Sequence, residues 1–89
     1  MNYPGLLDFL KYVVGILVTH PEELVIDHEE GEGKHVFRLR LHEEDVGRVI
    51  GKEGHTISSI RSLMNAAAEK EGASVIVKVE NEKDGRDGG

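Results

Sequence analysis

Two glycines three residues apart interrupt the middle of the chain and constrain its fold more than any other feature. Gly51 and Gly54 separate a short apolar series that ends at Ile50 from a second series, at helical spacing, that begins at Ile57. Glycine lets the backbone turn sharply and leaves it without side-chain cover. The segment therefore predicts two consecutive helices joined by a tight, bare loop, with the second helix ending near Gly72.

Alternating apolar and polar residues predict three strands, two before these two helices and one after them. The alternation covers residues 24–28, 37–41 and 75–79. A glycine-containing turn at 29–34 lies between the first two strands, so they can pair as an antiparallel hairpin. The second and third strands are joined through the two helices, a connection typical of parallel neighbours with a right-handed crossover.

One more helix precedes the strands. A Tyr3–Gly5 turn leads into Leu6–Val18, which is apolar over more than one stripe and so should be deeply packed or face a partner. His20-Pro21 stops this helix, because the residue before a proline is pushed out of the helical region. The element order is therefore α-β-β-α-α-β. The predicted fold class is α+β, with a three-stranded mixed sheet and three helices on one face.

The length and composition indicate one small domain. We expect the domain over residues 1–80, followed by a disordered acidic and glycine-rich tail at 81–89, which has no apolar residue. Cysteine is absent from the 89 residues, which favours an intracellular protein. The longest apolar stretch is too short to span a bilayer. The sequence therefore predicts a cytoplasmic protein with no membrane partner.

The charge of the chain is acidic overall but uneven. The formal net charge is −6, yet six bases stand against four acids between Lys34 and Arg61. Net charge governs solubility and steering and leaves open what a local site binds. An anionic partner would have to be met by this middle segment.

The glycine pair also carries a family signature. Ile50, Gly51, Gly54, Ile57 and Ile60 match in register the hydrophobic-Gly-x-x-Gly-x-x-hydrophobic-x-x-hydrophobic run of KH domains. The element order is similar to the type II, bacterial arrangement of that family, and the whole ordered chain resembles its small stand-alone bacterial members. KH domains bind RNA, so this resemblance implies a groove that clamps about four nucleotides of single-stranded RNA.

In the implied groove, one wall is the helix at 46–50 with the glycine loop and the start of the next helix, and the other is the edge of the 75–79 strand. Two loop residues depart from the family. Glu53 puts an acid beside the phosphate path, and His55, where a permanent cation is more usual, is only partly charged at neutral pH. The residues that the resemblance assigns to RNA binding are Arg48, Val49, Ile50, Gly51, Lys52, Glu53, Gly54, His55, Thr56 and Ile57.

The resemblance also implies a biological role and partners. It implies an RNA chaperone or post-transcriptional regulator that acts with a larger KH-containing protein in cell-wall homeostasis and cell shape. It further implies a homodimer, and Leu63, with Thr56 and Ser59 beside it on the helix surface, is the expected interface. A second function class stays open: a dimerising interaction subunit of a larger KH-containing RNA-binding complex, with weak RNA binding of its own.

Other chemistry-bearing residues indicate neither a catalytic nor a metal site. Ser58 and Ser59 have no catalytic His or Asp at a recognisable spacing, so the chain is predicted not to be an enzyme. Arg38 and Arg40 fit a phosphate patch and the solvated face of a sheet equally well. The histidines form no i, i+4 pair and have no cysteine among them, so we expect them to face solvent, with no metal and no cofactor. They are His20, His28, His35, His42 and His55.

Overall fold

The computed structural model describes residues 3–81, with three α-helices and one three-stranded sheet in the predicted order. Short 3₁₀ turns lie at Pro21–Glu23 and Lys52–Gly54. Within the described residues, no helix is long and apolar enough to cross a membrane. The predicted α+β fold is confirmed, and its elements are α1 (Tyr3–Leu17), β1 (Val25–Gly31), β2 (Lys34–Arg40), α2 (Glu43–Ile50), α3 (His55–Glu69) and β3 (Ser74–Val79).

The sheet has the strand order β1-β2-β3, with β1 antiparallel and β3 parallel to the central β2. Phe37 in β2 lies opposite His28 of β1 and Val77 of β3. Residues directly opposite one another in a sheet point to the same face. Phe37 and Val77 are both buried, so this is the face that packs against the helices.

The core is a single apolar cluster between that face of the sheet and the helices. In α3, Ala68 is fully buried and Ala67 only half-buried, although the helical spacing Ile57, Ile60, Met64 and Ala67 predicts Ala67 on the core face. The reason is helical geometry, since Ala68 lies close to three full turns after Ile57. The buried apolar residues are Leu6, Leu10, Val14, Phe37, Leu39, Leu41, Val49, Ile57, Ile60, Met64, Ala68, Val75, Val77 and Val79.

The β1–β2 hairpin is tighter than predicted. The turn expected at 29–34 shrinks to Glu32 and Gly33, whose φ angles of 53° and 76° match a two-residue turn that suits the twist of the strands. β1 therefore continues to Gly31, and β2 begins at Lys34. The last three residues of β1 are exposed, so no apolar alternation marks them as strand in the sequence.

Both ends of the described chain differ in detail from expectation. α1 begins at Tyr3, so Pro4 lies in its first turn and not in a preceding turn; a proline is tolerated there because its missing N–H needs no partner. At the other end, the side chain of Asn81 donates to the carbonyl of Leu41 at 2.6 Å. Asn81 was assigned to the tail, and the rest of that predicted tail, 82–89, lies outside the described residues.

The sheet face away from the helices is charged. Arg38 lies 3.0 Å from Glu29 and 3.5 Å from Glu80, and Arg40 lies 3.5 Å from the same Glu80. Exposed pairs of this kind add little stability. They do balance the charge of both arginines, which favours the solvated-face interpretation over a phosphate patch.

Candidate functional site

The glycine loop runs from Gly51 to Gly54 and joins α2 to α3 through a single 3₁₀ turn. Three of its residues have positive φ angles: 80° at Gly51, 56° at Glu53 and 77° at Gly54. The N–H of Gly54 donates to the carbonyl of Gly51 at 3.1 Å and closes the turn. The backbone is thereby held in a sharply curved shape, with Lys52 and Glu53 exposed at its tip.

The two glycines are needed for different reasons. A Cβ on Gly51 would overlap Thr56, and its φ and ψ of 80° and 172° are accessible to almost no residue but glycine. At Gly54, a Cβ would meet no described atom within 4 Å. The outer side of the loop is therefore open at Gly54, and a phosphate group has room to approach the backbone there.

The N-terminus of α3 follows this loop directly. The helix begins at His55 with Gly54 as its N-cap, and no side chain among residues 3–81 caps it. The N–H of His55 donates to the carbonyl of Lys52. The N–H groups that follow in the first turn of a helix lack intrahelical acceptors, and the helix dipole places partial positive charge beside them. This arrangement suits an anion, and Lys52 adds a full positive charge at the tip of the loop.

Glu53 and His55 flank this surface and do not form a close ion pair. The Nε2 of His55 lies 3.9 Å from the Oε1 of Glu53, and the two side chains are 77% and 73% exposed. A pair this long and this exposed contributes little energy. The carboxylate of Glu53 is therefore exposed at the tip of the loop, beside Lys52.

Three of the residues assigned to RNA binding have structural contacts that hold the site in place. Val49 and Ile57 are 0% and 4% exposed and anchor α2 and α3 in the core. Arg48 donates from Nε to the carbonyl of Leu17 at 2.8 Å, which ties α2 to the end of α1. The members of the predicted set that are exposed or half-buried are Arg48, Ile50, Gly51, Lys52, Glu53, Gly54, His55 and Thr56.

The joint between α1 and α2 is built on the buried carboxylate of Asp45. Thr19 donates to Asp45 from its N–H and its hydroxyl, both at 2.8 Å, and the N–H of His20 donates at 2.9 Å. Burial alone would raise the pKa of Asp45, but these hydrogen bonds outweigh it and hold the pKa below its ordinary value. Asp45 therefore fixes the position of α2, which carries the glycine loop at its far end.

Two histidines extend this joint. The Nε2 of His20 lies 2.9 Å from the Oε1 of Glu44, and this hydrogen bond raises the pKa of His20. The ring of His20 stacks on that of His42, with centroids 3.7 Å apart. The Nδ1 of His42 accepts the N–H of Glu44 at 3.0 Å and so caps the start of α2.

A second histidine pair lies on the sheet and corrects the prediction that the histidines face solvent. His35 is only 6% exposed, and its Nδ1 lies 2.9 Å from the Nε2 of His28. Burial, and then the neighbouring His35, lower the pKa of His28. The hairpin register explains the contact, because it places the two residues on adjacent strands and on the helix-facing side of the sheet.

These contacts also bring ligand-type atoms together where sequence spacing predicted no cluster. In each of two groups of residues, three ligand-type atoms lie within 4.8 Å of one another. In each group, ring nitrogens already take part in the hydrogen bonds described above. Each group combines residues of two parts of the chain that only the fold brings together, which is why spacing along the chain missed them. The expectation that the chain holds no metal stays a prediction. The groups are His20, His42 and Glu44, and His28, Glu30 and His35.

At the edge of β3, the structure adds two residues that the sequence did not single out. β3 pairs with β2 on one side only, so its other edge faces α3. The amide of Asn65 accepts the N–H of Val75 at 2.8 Å and donates to the carbonyl of the same residue at 2.9 Å. Arg61 donates from Nε to the carbonyl of Val77 at 3.0 Å. The four-residue spacing of Arg61 and Asn65 along α3 is the sequence signal that could have found them.

The residues proposed for a dimer interface lie together on the outer side of α3. Leu63 is 53% exposed, Ser59 is exposed and Thr56 is half-buried. Spacings of three and four residues put the three on one stripe of the helix. A second exposed apolar pair lies on α1, where Tyr12 and Ile16 are 70% and 65% exposed.

Relatives of this chain are named as RNA-binding proteins. "RNA-binding protein KhpA" of Chlamydia caviae is 36% identical over 76 residues, which cover 85% of this chain and 97% of the relative. The protein of the same name from Thermotoga maritima is 44% identical over 59 residues, or 66% and 79% of the two chains. That of Bacillus subtilis is 39% identical over 67 residues, or 75% and 83%. No solved structure shows a significant match.

The family comparison agrees with the geometry. The family model described as "KhpA/KhpB, KH domain" matches residues 7–79. The match runs from the first turns of α1 to the end of β3 and so contains the glycine loop and the whole sheet. By this match, by its relatives and by its α-β-β-α-α-β order, the chain belongs to the KhpA/KhpB family of KH domains.

Proposed function

We propose that the chain binds single-stranded RNA in a groove between the glycine loop and the edge of β3. The observation that carries this proposal is the open junction of the loop and α3. Main-chain N–H groups, the positive end of the helix dipole and Lys52 converge there on one exposed surface. The names of the relatives support the same function.

In this function, the loop holds the sugar–phosphate backbone and β3 meets the bases. A phosphate approaches on the open side of Gly54, and the bases lie across the start of α3 towards the strand. A KH groove of this kind holds about four nucleotides. Aromatic stacking is a minor contribution, since the chain has two Tyr, two Phe and no Trp, and Phe37 is buried. Recognition then depends on main-chain contacts and apolar packing, with little sequence information.

Binding by one such groove should be weak. The site has Lys52 as its cation at the tip, with Glu53 beside it, in a chain of net charge −6. Few phosphates are neutralised, so the slope of log affinity against log salt concentration should be no steeper than about −3. Nanomolar affinity of the isolated chain for a short oligonucleotide would contradict this.

The proposal is tested by replacing Lys52 and Glu53 together with Asp. Two carboxylates then stand where the phosphate should lie, and each repulsion amounts to roughly 4 kcal/mol at 4 Å before screening, at an effective dielectric near 20. Both side chains are exposed, so the melting temperature should hardly change. Titration of labelled single-stranded RNA at two salt concentrations should show loss of binding.

The chain provides a matched control at the other end of α3. Lys70 and Glu71 are also an exposed Lys-Glu pair, and replacing both with Asp changes the net charge by the same amount. This control should bind RNA nearly as well as the unaltered protein. RNA affinity that is unchanged in the folded loop variant would overturn the proposal.

At the level of the cell, we infer from the family resemblance an RNA chaperone or post-transcriptional regulator in the cytoplasm. The inferred function is binding and not catalysis. The same resemblance suggests a homodimer, a larger KhpB-type partner that also carries a KH domain, and a role in cell-wall homeostasis and cell shape.

A second candidate function is that of a dimerising interaction subunit with weak RNA binding of its own. The observation that favours it is Leu63, which is 53% exposed on α3, about two and a half turns from the loop. The acidic balance and Glu53 point the same way. The RNA titration separates the two functions: a folded dimer without measurable RNA affinity would favour this second one.

A further inference from the structure

The edge of β3 that would meet the bases is already partly occupied by α3. Val75 has both its N–H and its carbonyl bound by the amide of Asn65, and Val77 has its carbonyl bound by Arg61. Main-chain groups alternate between the two sides of a strand. Val79 therefore also presents its groups to this edge, whereas the N–H of Glu80 donates to Leu39 on the β2 side at 2.8 Å.

The amide of Asn65 has the hydrogen-bonding pattern of a nucleobase edge. It offers one donor and one acceptor side by side, and Val75 meets them with its carbonyl and its N–H. Adenine offers the same pair with its N6 amino group and N7. A base placed at Val75 would therefore compete with Asn65 for the same two groups.

Asn65 is held in this position from its own helix. Its Nδ2 also donates to the carbonyl of Arg61 at 3.0 Å, so one side chain is fixed to α3 and β3 at once. Beyond it, an open groove of about 480 Å³ continues along α3, lined by Ser62, Asn65, Ala66, Glu69 and Ala73. Space for another nucleotide is thus present past Asn65, but the main-chain groups of Val75 beside this space are already bound by Asn65.

We propose that Asn65 is an internal base mimic that ends the RNA footprint on β3. The readable edge is then confined to the part of β3 beyond Val77, which is itself only 1% exposed. No side chain among residues 3–81 hydrogen-bonds to the outward main-chain groups of Val79. Arg61 marks the boundary, because it holds the carbonyl of Val77. This inference rests on the proposed RNA-binding function and adds the residue that limits the length of RNA that the groove accepts.

The test compares adenosine tetranucleotide and hexanucleotide binding by the unaltered chain and by Asn65→Ala. The unaltered chain should prefer the hexanucleotide by no more than about threefold, the statistical factor for three overlapping registers in a four-nucleotide groove. Asn65→Ala exposes the N–H and carbonyl of Val75. This variant should therefore bind the hexanucleotide about three- to tenfold more tightly than the unaltered chain does, as expected for one or two added hydrogen bonds. Asn65→Ser, whose side chain is too short to reach Val75, provides a second variant if Asn65→Ala does not fold.

Hydrogen exchange at Val75 gives a readout that needs no affinity measurement. The Val75 amide should exchange slowly in the unaltered chain, quickly in Asn65→Ala, and slowly again when that variant binds the hexanucleotide. Asn81 is the matched control, because its amide makes the same two kinds of hydrogen bond to the main chain of Leu41, away from the β3 edge. Asn81→Ala should therefore leave the preference between the two lengths unchanged.

The outcomes distinguish this inference from the function it rests on. If both lengths bind the unaltered chain and the Lys52/Glu53 variant loses them, but Asn65→Ala gains nothing on the hexanucleotide, the base-mimic inference is wrong and the RNA-binding function stands. If neither length binds the unaltered chain, both are wrong.

Discussion

At the scale of single residues, two of the three glycines in α2 and the loop have opposite requirements. Gly51 has φ and ψ of 80° and 172°, and a Cβ there would overlap Thr56. Gly47, in the middle of α2, has no described atom within 4 Å of a Cβ position and no special backbone angle. The sequence alone does not distinguish these two glycines, whereas their backbone angles and surroundings do.

Gly51→Ala should therefore destabilise the protein and Gly47→Ala should not. The strain of a backbone region nearly closed to alanine costs about 1–3 kcal/mol, apart from the overlap with Thr56. In a domain of this size that lowers the melting temperature by roughly 5–15 °C. Gly47→Ala should raise stability by about 0.5–1 kcal/mol, because alanine favours the helix. Thermal melts of both variants check this, and equal melting temperatures would contradict the assigned loop geometry.

At the scale of elements, the joint between α1 and α2 depends on the charge of Asp45. Asp45→Asn keeps the size of the side chain but offers an amide where three donors converge, so it should melt at a lower temperature at pH 7. The folded pKa of Asp45 lies below its ordinary value of 3.8. Its contribution is therefore complete above pH 3.8 and is lost as pH falls through the folded pKa.

The difference in melting temperature between the two proteins should accordingly shrink below about pH 3.8. Asp8→Asn, on the exposed side of α1, is the control and should change little at any pH. A difference that persists unchanged in strong acid would mean that the charge of Asp45 does not hold the joint.

The helices and strands could be predicted from the sequence, because the spacing of apolar residues and the positions of glycines are local features of the chain. Alternation at Phe37–Leu41 and helical spacing after Gly54 gave the strands and helices, and the glycine pair gave the loop. The contacts that organise the site join residues 26, 10 and 7 positions apart: Thr19 with Asp45, Asn65 with Val75, and His28 with His35. No local pattern specifies such pairs. The glycine loop could therefore be predicted from the sequence. The hydrogen bonds from Arg61 and Asn65 to the edge of β3 could not.

At the scale of the whole molecule, residues 3–81 expose large apolar side chains on two helices and at Val25 of β1, which is 48% exposed. Leu63 on α3 is 53% exposed, and Tyr12 and Ile16 on α1 are 70% and 65% exposed. The α1 pair explains why the sequence of that helix is apolar over more than one stripe. The two surfaces belong to different helices, so a single substitution in each can decide between them.

We predict a two-fold dimer through the α3 surface, with the partner helices packed side by side near the glycine loops. Leu63→Asp puts a charge into that contact, so it should give a folded monomer by sedimentation. Two grooves held in one dimer raise the apparent affinity for RNA by bivalency, so the monomer should also bind a long RNA more weakly than the unaltered protein, while its affinity for a tetranucleotide stays the same. Ile16→Asp is the matched control on α1 and should remain a dimer. If instead Ile16→Asp gives the monomer and Leu63→Asp does not, the interface lies on α1, and the α3 surface beside the loop is left to RNA or to another protein.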